Sequence, residues 1–319
     1  MIRTPSLRAL DLFSTLMRTR SISEAARCIG ISQPAASLAL KELEAQTGLP
    51  LFVRTRQRLV PTPQAGLLLP QIERLIDQAN RIQRQIVALR GKAAPMLHLA
   101  CTPSFGSTLL PSTIAGFQRE HPGVQLKIDV EPLSQVLDLL RQEAVDLAFC
   151  YLPQEAEEAP MPERGQERLL STPLAGLMAP DHPLAARTSL DLSDLAQHRV
   201  ILATRNNLPI PATIVEGLRG KGTEPGTMEV NNVYTAMSFA RAGIGIALAN
   251  PVLLVSGIAG GLIARPITPG FQLSLGVVRA LPHAHTPEIE ALIDHARHAA
   301  LRCRQQLGKL GIDSKIFGT

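Results

Sequence analysis

Between Ala65 and Leu89 the residues Ala65, Leu68, Ile72, Leu75, Ala79, Ile82, Ile86 and Leu89 step alternately by three and four. An α-helix gathers such a series onto one stripe. Thr62-Pro63 supplies its start, a hydroxyl cap followed by proline in the first turn. At 1.5 Å per residue, a helix over residues 63–90 reaches roughly 40 Å. Such a rod divides the chain into a head, residues 1–62, and a body, residues 96–319, with Gly91-Lys92-Ala93-Ala94-Pro95 as hinge. The stripe is narrow and asks for a partner helix. A second copy in a coiled-coil-like dimer would satisfy it, and so would the chain's own head or body. Pro70 lies inside the run and should bend its first turns.

The head reads as helical. Leu7, Leu10, Phe13, Leu16 and Met17 form one stripe over about residues 5–18. Ser21 and Glu24 have capping-box spacing ahead of a short helix carrying Ala25, Ala26 and Ile29, which Gly30 ends. After one turn, Ser32 caps a third helix with Pro34 in its first turn. Ala36, Leu40 and Leu43 face inward, Gln33, Ser37 and Lys41 occupy another face, and Gly48 closes the helix. Two short helices about a tight turn describe a helix-turn-helix, whose second helix can enter a major groove. There Gln33 can pair with adenine, and serine hydroxyls can meet several base edges. Leu51-Phe52-Val53 and Leu59-Val60-Pro61 flank Arg54-Thr55-Arg56-Gln57-Arg58, the pattern of a β-hairpin wing resting on phosphates. The candidate DNA contacts are Ser23, Ser32, Gln33, Pro34, Ser37, Lys41, Arg54, Arg56 and Arg58.

Charge supports this division. Residues 1–92 carry 14 Lys and Arg against 6 Asp and Glu, whereas the remainder carries 18 against 21. A basic head on a slightly acidic body points to nucleic acid as partner. Aromatic residues make up only 3%, with no tryptophan, which argues against stacking bases or sugars on aromatic platforms. Cys28, Cys101, Cys150 and Cys303 are widely spaced, which excludes a CxxC zinc or iron–sulfur pattern. No metal and no cofactor are expected. No apolar run is long enough to span a bilayer, and Met1-Ile2-Arg3-Thr4-Pro5 lacks the features of a secretory signal, so a cytoplasmic protein is expected.

The segments Ser21-Ile22-Ser23-Glu24-Ala25-Ala26, Ile31-Ser32-Gln33-Pro34-Ala35-Ala36-Ser37, Leu43-Glu44, Gly48 to Arg54 and Leu59 to Gly66 resemble, in order and spacing, the LysR-type transcriptional regulators. The resemblance implies a winged helix-turn-helix, a linker helix and a C-terminal effector-binding domain, with dimers or tetramers that bend their DNA. One departure is Leu38, where the family often has arginine after the serine. A base or phosphate contact is then expected to be missing, with consequences for the operator sequence.

The body alternates strand and helix. Strands are expected at 97–101, 124–130 and 146–150, with helices carrying Leu110, Ile114 and Phe117 and then Val136, Leu137, Leu139 and Leu140. This βαβαβ order points to an open, largely parallel sheet. Residues 153–168 read as an exposed crossover into a second lobe, with strands near 169–178, 199–203, 226–230 and 244–249. A strand over 272–280 and a helix over 286–307 return to the first lobe. The expected fold is thus α/β with an all-α head, its body two-lobed like a periplasmic binding protein: lobe one about 96–162 and 268–319, lobe two about 163–267.

Ligands of open α/β sheets bind beyond the carboxyl ends of strands. The candidate effector residues there are Thr102, Pro103, Ser104, Ser134, Thr204, Asn206, Asn231 and Asn232, whose hydroxyls and free N–H groups suit a carboxylate. Each could equally be only a helix cap. Asn231-Asn232-Val233 and Gly243 to Pro251 resemble family members that respond to amino acids or opines. Cys101 and Cys150 end strands expected to be neighbours, which leaves a redox switch or inert packing open. No GxSxG, HExxH or phosphate loop is present, and the single Gly243-Ile244-Gly245 is too short for a dinucleotide fingerprint. The expectation is a regulator rather than an enzyme or a free solute-binding module. Its partners would be double-stranded DNA, a small effector and a second copy of itself, with no membrane.

Overall fold

The computed structural model describes residues 4–54, 59–89, 96–153, 165–203, 208–210, 212–219, 226–268, 270–280 and 286–317, and falls into two units, Met1–Ala93 and Ala94–Thr319. In the first unit, α1 (Leu7–Thr19) starts at Ser6, whose side chain accepts from the Ala9 N–H at 3.2 Å. The chain reverses at Arg20 with φ of 56° and enters α2 (Ile22–Cys28) and α3 (Gln33–Thr47). A hairpin of β1 (Phe52–Arg54) and β2 (Leu59–Pro61) follows, then α4 (Pro63–Leu89), which runs through Pro70. Phe13, Leu16, Ala25, Ala26, Ala36, Leu40 and Leu43 close one core with Leu51, Phe52 and Leu59. The buried alanines matter because a larger side chain would push α2 from α3.

The stripe on α4 has two fates. Ala65 is buried, and Leu68 and Ile72 pack against the head's own core. Leu75, Ile82 and Ile86 are exposed, Ile82 by 53%. The uninterrupted sequence pattern therefore covers two different situations: intramolecular packing near the head, and exposure further along.

The second unit opens with β3 (Met96–Cys101), α5 (Pro103–Ser107), α6 (Leu109–Glu120), β4 (Gln125–Val130), α7 (Leu133–Arg141) and β5 (Leu147–Leu152). It continues through β6 (Gln166–Pro173), β7 (Ala175–Met178), β8 (Leu190–Asp191), α8 (Leu192–Ala196), β9 (Val200–Ala203), α9 (Ala212–Arg219), β10 (Thr227–Val230) and α10 (Val233–Arg241). Then come β11 (Ile246–Ala249), α11 (Val252–Val255), β12 (Ile263–Thr268), β13 (Gln272–Arg279), α12 (Pro287–Lys309) and β14 (Lys315–Ile316). Two six-stranded sheets result, in the orders β14-β6-β13-β5-β3-β4 and β10-β9-β11-β7-β12-β8. The βαβαβ expectation corresponds to β4, β3 and β5, which pair in parallel.

The passage between lobes lies elsewhere than expected. Residues 166–173 form β6, antiparallel to β13, so the strand expected to open the second lobe still belongs to the first sheet. The chain crosses at Leu174, whose N–H donates to the Phe271 carbonyl at 2.7 Å and whose own carbonyl accepts from the Ile267 N–H at 3.0 Å. The apolar run at 169–178 reads as one strand because both halves are buried, although they belong to different sheets. Within the first sheet, Gly276 sits between β5 and β6, where a Cβ would fall 2.5 Å from the Glu167 carbonyl oxygen.

Both faces of the first sheet are covered. Leu147, Phe149 and Tyr151 of β5 join the large core shared by both lobes, and Ala148, Cys150 and Leu152 join a smaller one under α7. Two-sided burial explains why this strand reads as a continuous apolar run.

Candidate nucleic-acid interface and effector cleft

In the head, the start of α3 is set by Ser32, whose hydroxyl accepts from the Ala35 N–H at 3.3 Å. This spends the Ser32 side-chain acceptor on helix geometry. Gln33, Pro34 and Lys41 are exposed, Ser37 is half-buried, and Ser23 stands exposed in the first turn of α2. The third helix thus presents most of its candidate contacts on the side away from Ala36, Leu40 and Leu43. For the expected capping box at Ser21, the hydroxyl accepts from the Glu24 N–H at 3.3 Å.

A residue that sequence reasoning quoted without a role ties the hairpin to α3. Glu44 Oε1 accepts from the N–H groups of Leu51 at 2.8 Å and Phe52 at 3.0 Å. Thr62 completes the anchor by donating to the Pro50 carbonyl at 2.8 Å and accepting from the Ala65 N–H at 3.3 Å, which caps α4. Arg54 pairs with Leu59 across the hairpin; its side chain, with Arg56 and Arg58, lies outside the described residues. A groove of about 380 Å³ opens beside α1 and α3, lined by Thr4, Ser6, Ala35, Glu42 and Gln46 among others. No buried unpartnered side-chain polar atom lines it among the described residues.

In the second unit, buried polar side chains converge where the two lobes meet. Ser104 donates to the Tyr151 hydroxyl at 3.1 Å, and Thr172 donates to Asn250 Oδ1 at 3.0 Å. The Asn250 amide group also lies near the Tyr151 hydroxyl, without hydrogen-bond geometry at Nδ2. Tyr234 crosses from α10 to donate to the Pro103 carbonyl at 2.7 Å, and its hydroxyl also meets Ser107. Burial pushes the Tyr151 phenol up to about 12 and raises that of Tyr234, so both remain neutral donors at physiological pH.

Thr102 stands at the centre of interest. It is fully buried at the end of β3, caps α5 without a side-chain hydrogen bond, and leaves Oγ1 without a partner. A buried, unpaired hydroxyl is costly and calls for a reason.

Of the predicted effector residues, the structure brings Thr102, Pro103 and Ser104 together with Tyr151, Thr172, Tyr234 and Asn250. Sequence reasoning missed those four as site residues; Asn250, following a buried strand, carried the only legible signal. Ser134 lies in the first turn of α7, partly exposed. Asn231 and Asn232 are exposed, and Asn232 caps α10 by accepting from the Tyr234 N–H at 2.8 Å. Thr204 and Asn206 lie outside the described residues.

Cys101 and Cys150 belong to cores on opposite faces of the first sheet. Period-2 alternation separates them, and burial pushes both thiols up to about 12, which keeps them protonated and unreactive. Among the described residues no group of three or more metal-ligating side chains occurs, and no helix is long and apolar enough to cross a membrane.

Comparison with known proteins agrees with this division. Residues 7–66 match the bacterial regulatory helix-turn-helix protein model of the lysR family, and residues 90–301 match the LysR substrate binding domain. The chain is 27% identical over 91% of its length to the transcriptional activator protein LysR of Escherichia coli, spanning 92% of that protein. It is also 27% identical to the regulator CbbR of Rhodospirillum rubrum over 93% of this chain and 97% of that one. Among solved structures, full-length CbnR with its target DNA superposes with a TM-score of 0.67 at 19% identity, covering 92% of this chain and 99% of that one. A full-length OxyR variant from Pseudomonas aeruginosa, carrying a single cysteine-to-aspartate substitution, does so with 0.63 at 24%, covering 92% and 95%.

Proposed function

The chain belongs to the LysR family of DNA-binding transcriptional regulators, and on that premise we propose that it is a two-input device: α3 and the hairpin hold an operator, while the cleft between the sheets holds a small effector. In this reading Gln33, Ser37 and Lys41 approach base edges, Ser23, Ser32 and Pro34 line the approach, and Arg54, Arg56 and Arg58 rest on phosphates. Two copies associate through the exposed part of the α4 stripe around Ile82 and Ile86, and pairs of dimers form a tetramer. The work is binding rather than turnover and is carried out in the cytoplasm.

One observation carries the effector half: Thr102 Oγ1, just ahead of the Pro103 carbonyl that Tyr234 reaches from the second lobe, is buried and has no hydrogen-bond partner among the described residues. The residues that follow it in the chain carry a hydroxyl network, Ser104 with Tyr151 and Ser107 with Tyr234, which suits an oxygen-rich ligand, and we assign a small carboxylate of amino-acid type. Of the remaining candidates, Asn232 acts through the position it gives Tyr234, whereas Ser134, Thr204, Asn206 and Asn231 extend the rim. Such a ligand shifts the protein only insofar as it prefers one lobe arrangement.

The test has two arms. Gel shifts of full-length protein on the DNA upstream of its own gene are expected to show a specific complex at moderate salt. Thermal-shift screening against a panel of carboxylates and amino acids is expected to raise the melting temperature, and the same compound should change the DNA complex. Absence of any specific complex with folded protein refutes the first arm. Stabilisation only by non-carboxylate compounds refutes the ligand assignment.

A further inference from the structure

Resting on the reading of α3 as the groove-entering helix, we propose that Leu38 reads thymine, through apolar contact with its 5-methyl group. Ala36, Leu40 and Leu43 define the inward direction of α3. At 3.6 residues per turn, Leu38 lies within roughly 15° of the opposite direction, at the apex of the outward face. It is 58% exposed. Pro34, one turn earlier, and Ala45, two turns later, are exposed beside it, so the ridge of the helix is apolar. Gln33, Ser37 and Lys41 run along one flank at spacing four.

A lone exposed leucine on an idle surface carries no message. On the ridge of a helix inside a groove it does, because docking strips water from whatever it meets. Leu38 has no hydrogen-bonding group. The polar base edges N7, O6 and N4, placed against it, would lose water and gain nothing. The apolar group that unmodified major grooves offer is the thymine methyl. The same side chain therefore attracts thymine and penalises guanine or cytosine at one position of each half-site.

The experiment selects binding sites from a randomised duplex pool with the full-length protein. Each thymine of the selected site is then replaced singly by deoxyuridine, which removes the methyl and leaves pairing unchanged. The wild type is expected to lose roughly fourfold in affinity at one thymine per half-site, the weight of one buried methyl. Leu38→Ala protein, weaker on the parent site, should show no further loss there. Leu38→Arg should move the selected base from thymine to guanine. Both variants are expected to fold, because the position is exposed and both residues favour helices; circular dichroism verifies this. Tolerance of deoxyuridine everywhere by the wild type, or an undiminished penalty in Leu38→Ala, overturns the proposal. Gln33→Ala separates the two levels. If it leaves the selected sequence unaltered, α3 is not the reading element and both readings fall. If it alters the sequence while deoxyuridine stays neutral, only the Leu38 contact is refuted.

Discussion

Replacing Thr102 by valine exchanges a buried hydroxyl for a methyl of similar shape. No helix cap is lost, since α5 takes no hydrogen bond from this side chain. The unpaired Oγ1 carries a desolvation cost of about 1–3 kcal/mol, which the substitution removes. The folded state should therefore gain about 1–2 kcal/mol, which in a unit of this size corresponds to a melting temperature higher by about 2–8 °C. The same variant should lose the thermal shift produced by the effector, because the group held in reserve for the ligand is gone. Thr102→Ser is the counterpart: it keeps the hydroxyl, gives up a buried methyl worth about 1 kcal/mol, and retains the ligand response. Thermal melts and urea titrations at matched slope measure both effects. A valine variant less stable than the wild type would mean that Oγ1 is already satisfied in the folded protein, and the reasoning from its isolation would be refuted. A valine variant that still answers the effector would refute the functional half.

Three further outcomes are expected. Glu44→Ala leaves two N–H groups of the hairpin without their acceptor and should destabilise the head by about 2 kcal/mol, whereas Glu44→Gln, which keeps an oxygen, costs less; melts and DNA anisotropy together show whether wing and α3 are coupled. If Arg54, Arg56 and Arg58 each neutralise a phosphate, every single Arg→Ala change lowers the slope of log affinity against log salt by about 0.9, and unchanged slopes exclude the wing from the interface. In a thiol titration of native protein near neutral pH, exposed Cys28 should react while Cys101, Cys150 and Cys303, each held up to about 12 by burial, stay silent. Their folded values lie above the ordinary thiol value of 9.0, so their contribution to stability is complete below pH 9 and declines as pH climbs from 9 toward 12. Alkaline unfolding curves of Cys→Ala variants check that sign.

Local chemistry made much of this protein readable from its residues. Ser21, Ser32 and Thr62 cap helices because their hydroxyls satisfy N–H groups three positions ahead, a matter of a few neighbouring residues. The same holds for Gly48, at φ of 68°, whereas the parallel run of β4, β3 and β5 was legible from the alternation of strand and helix patterns. Burial partners are another matter, because apolar residues record that they are covered and not by what. The stripe on α4 therefore looked uniform, although Leu68 and Ile72 meet the head and Ile82 stays exposed. The run at 169–178 looked like one strand, although Leu174 divides it between two sheets. In the cleft, Thr102 to Ser104 were visible as a strand end leading into a helix. The partners come from far along the chain: Tyr151 bonds Ser104 across 47 positions, Tyr234 bonds Pro103 across 131, and Thr172 bonds Asn250 across 78. Periodicity and capping belong to neighbours in sequence, whereas the meeting of two lobes belongs to neighbours in space, and only the folded chain decides those.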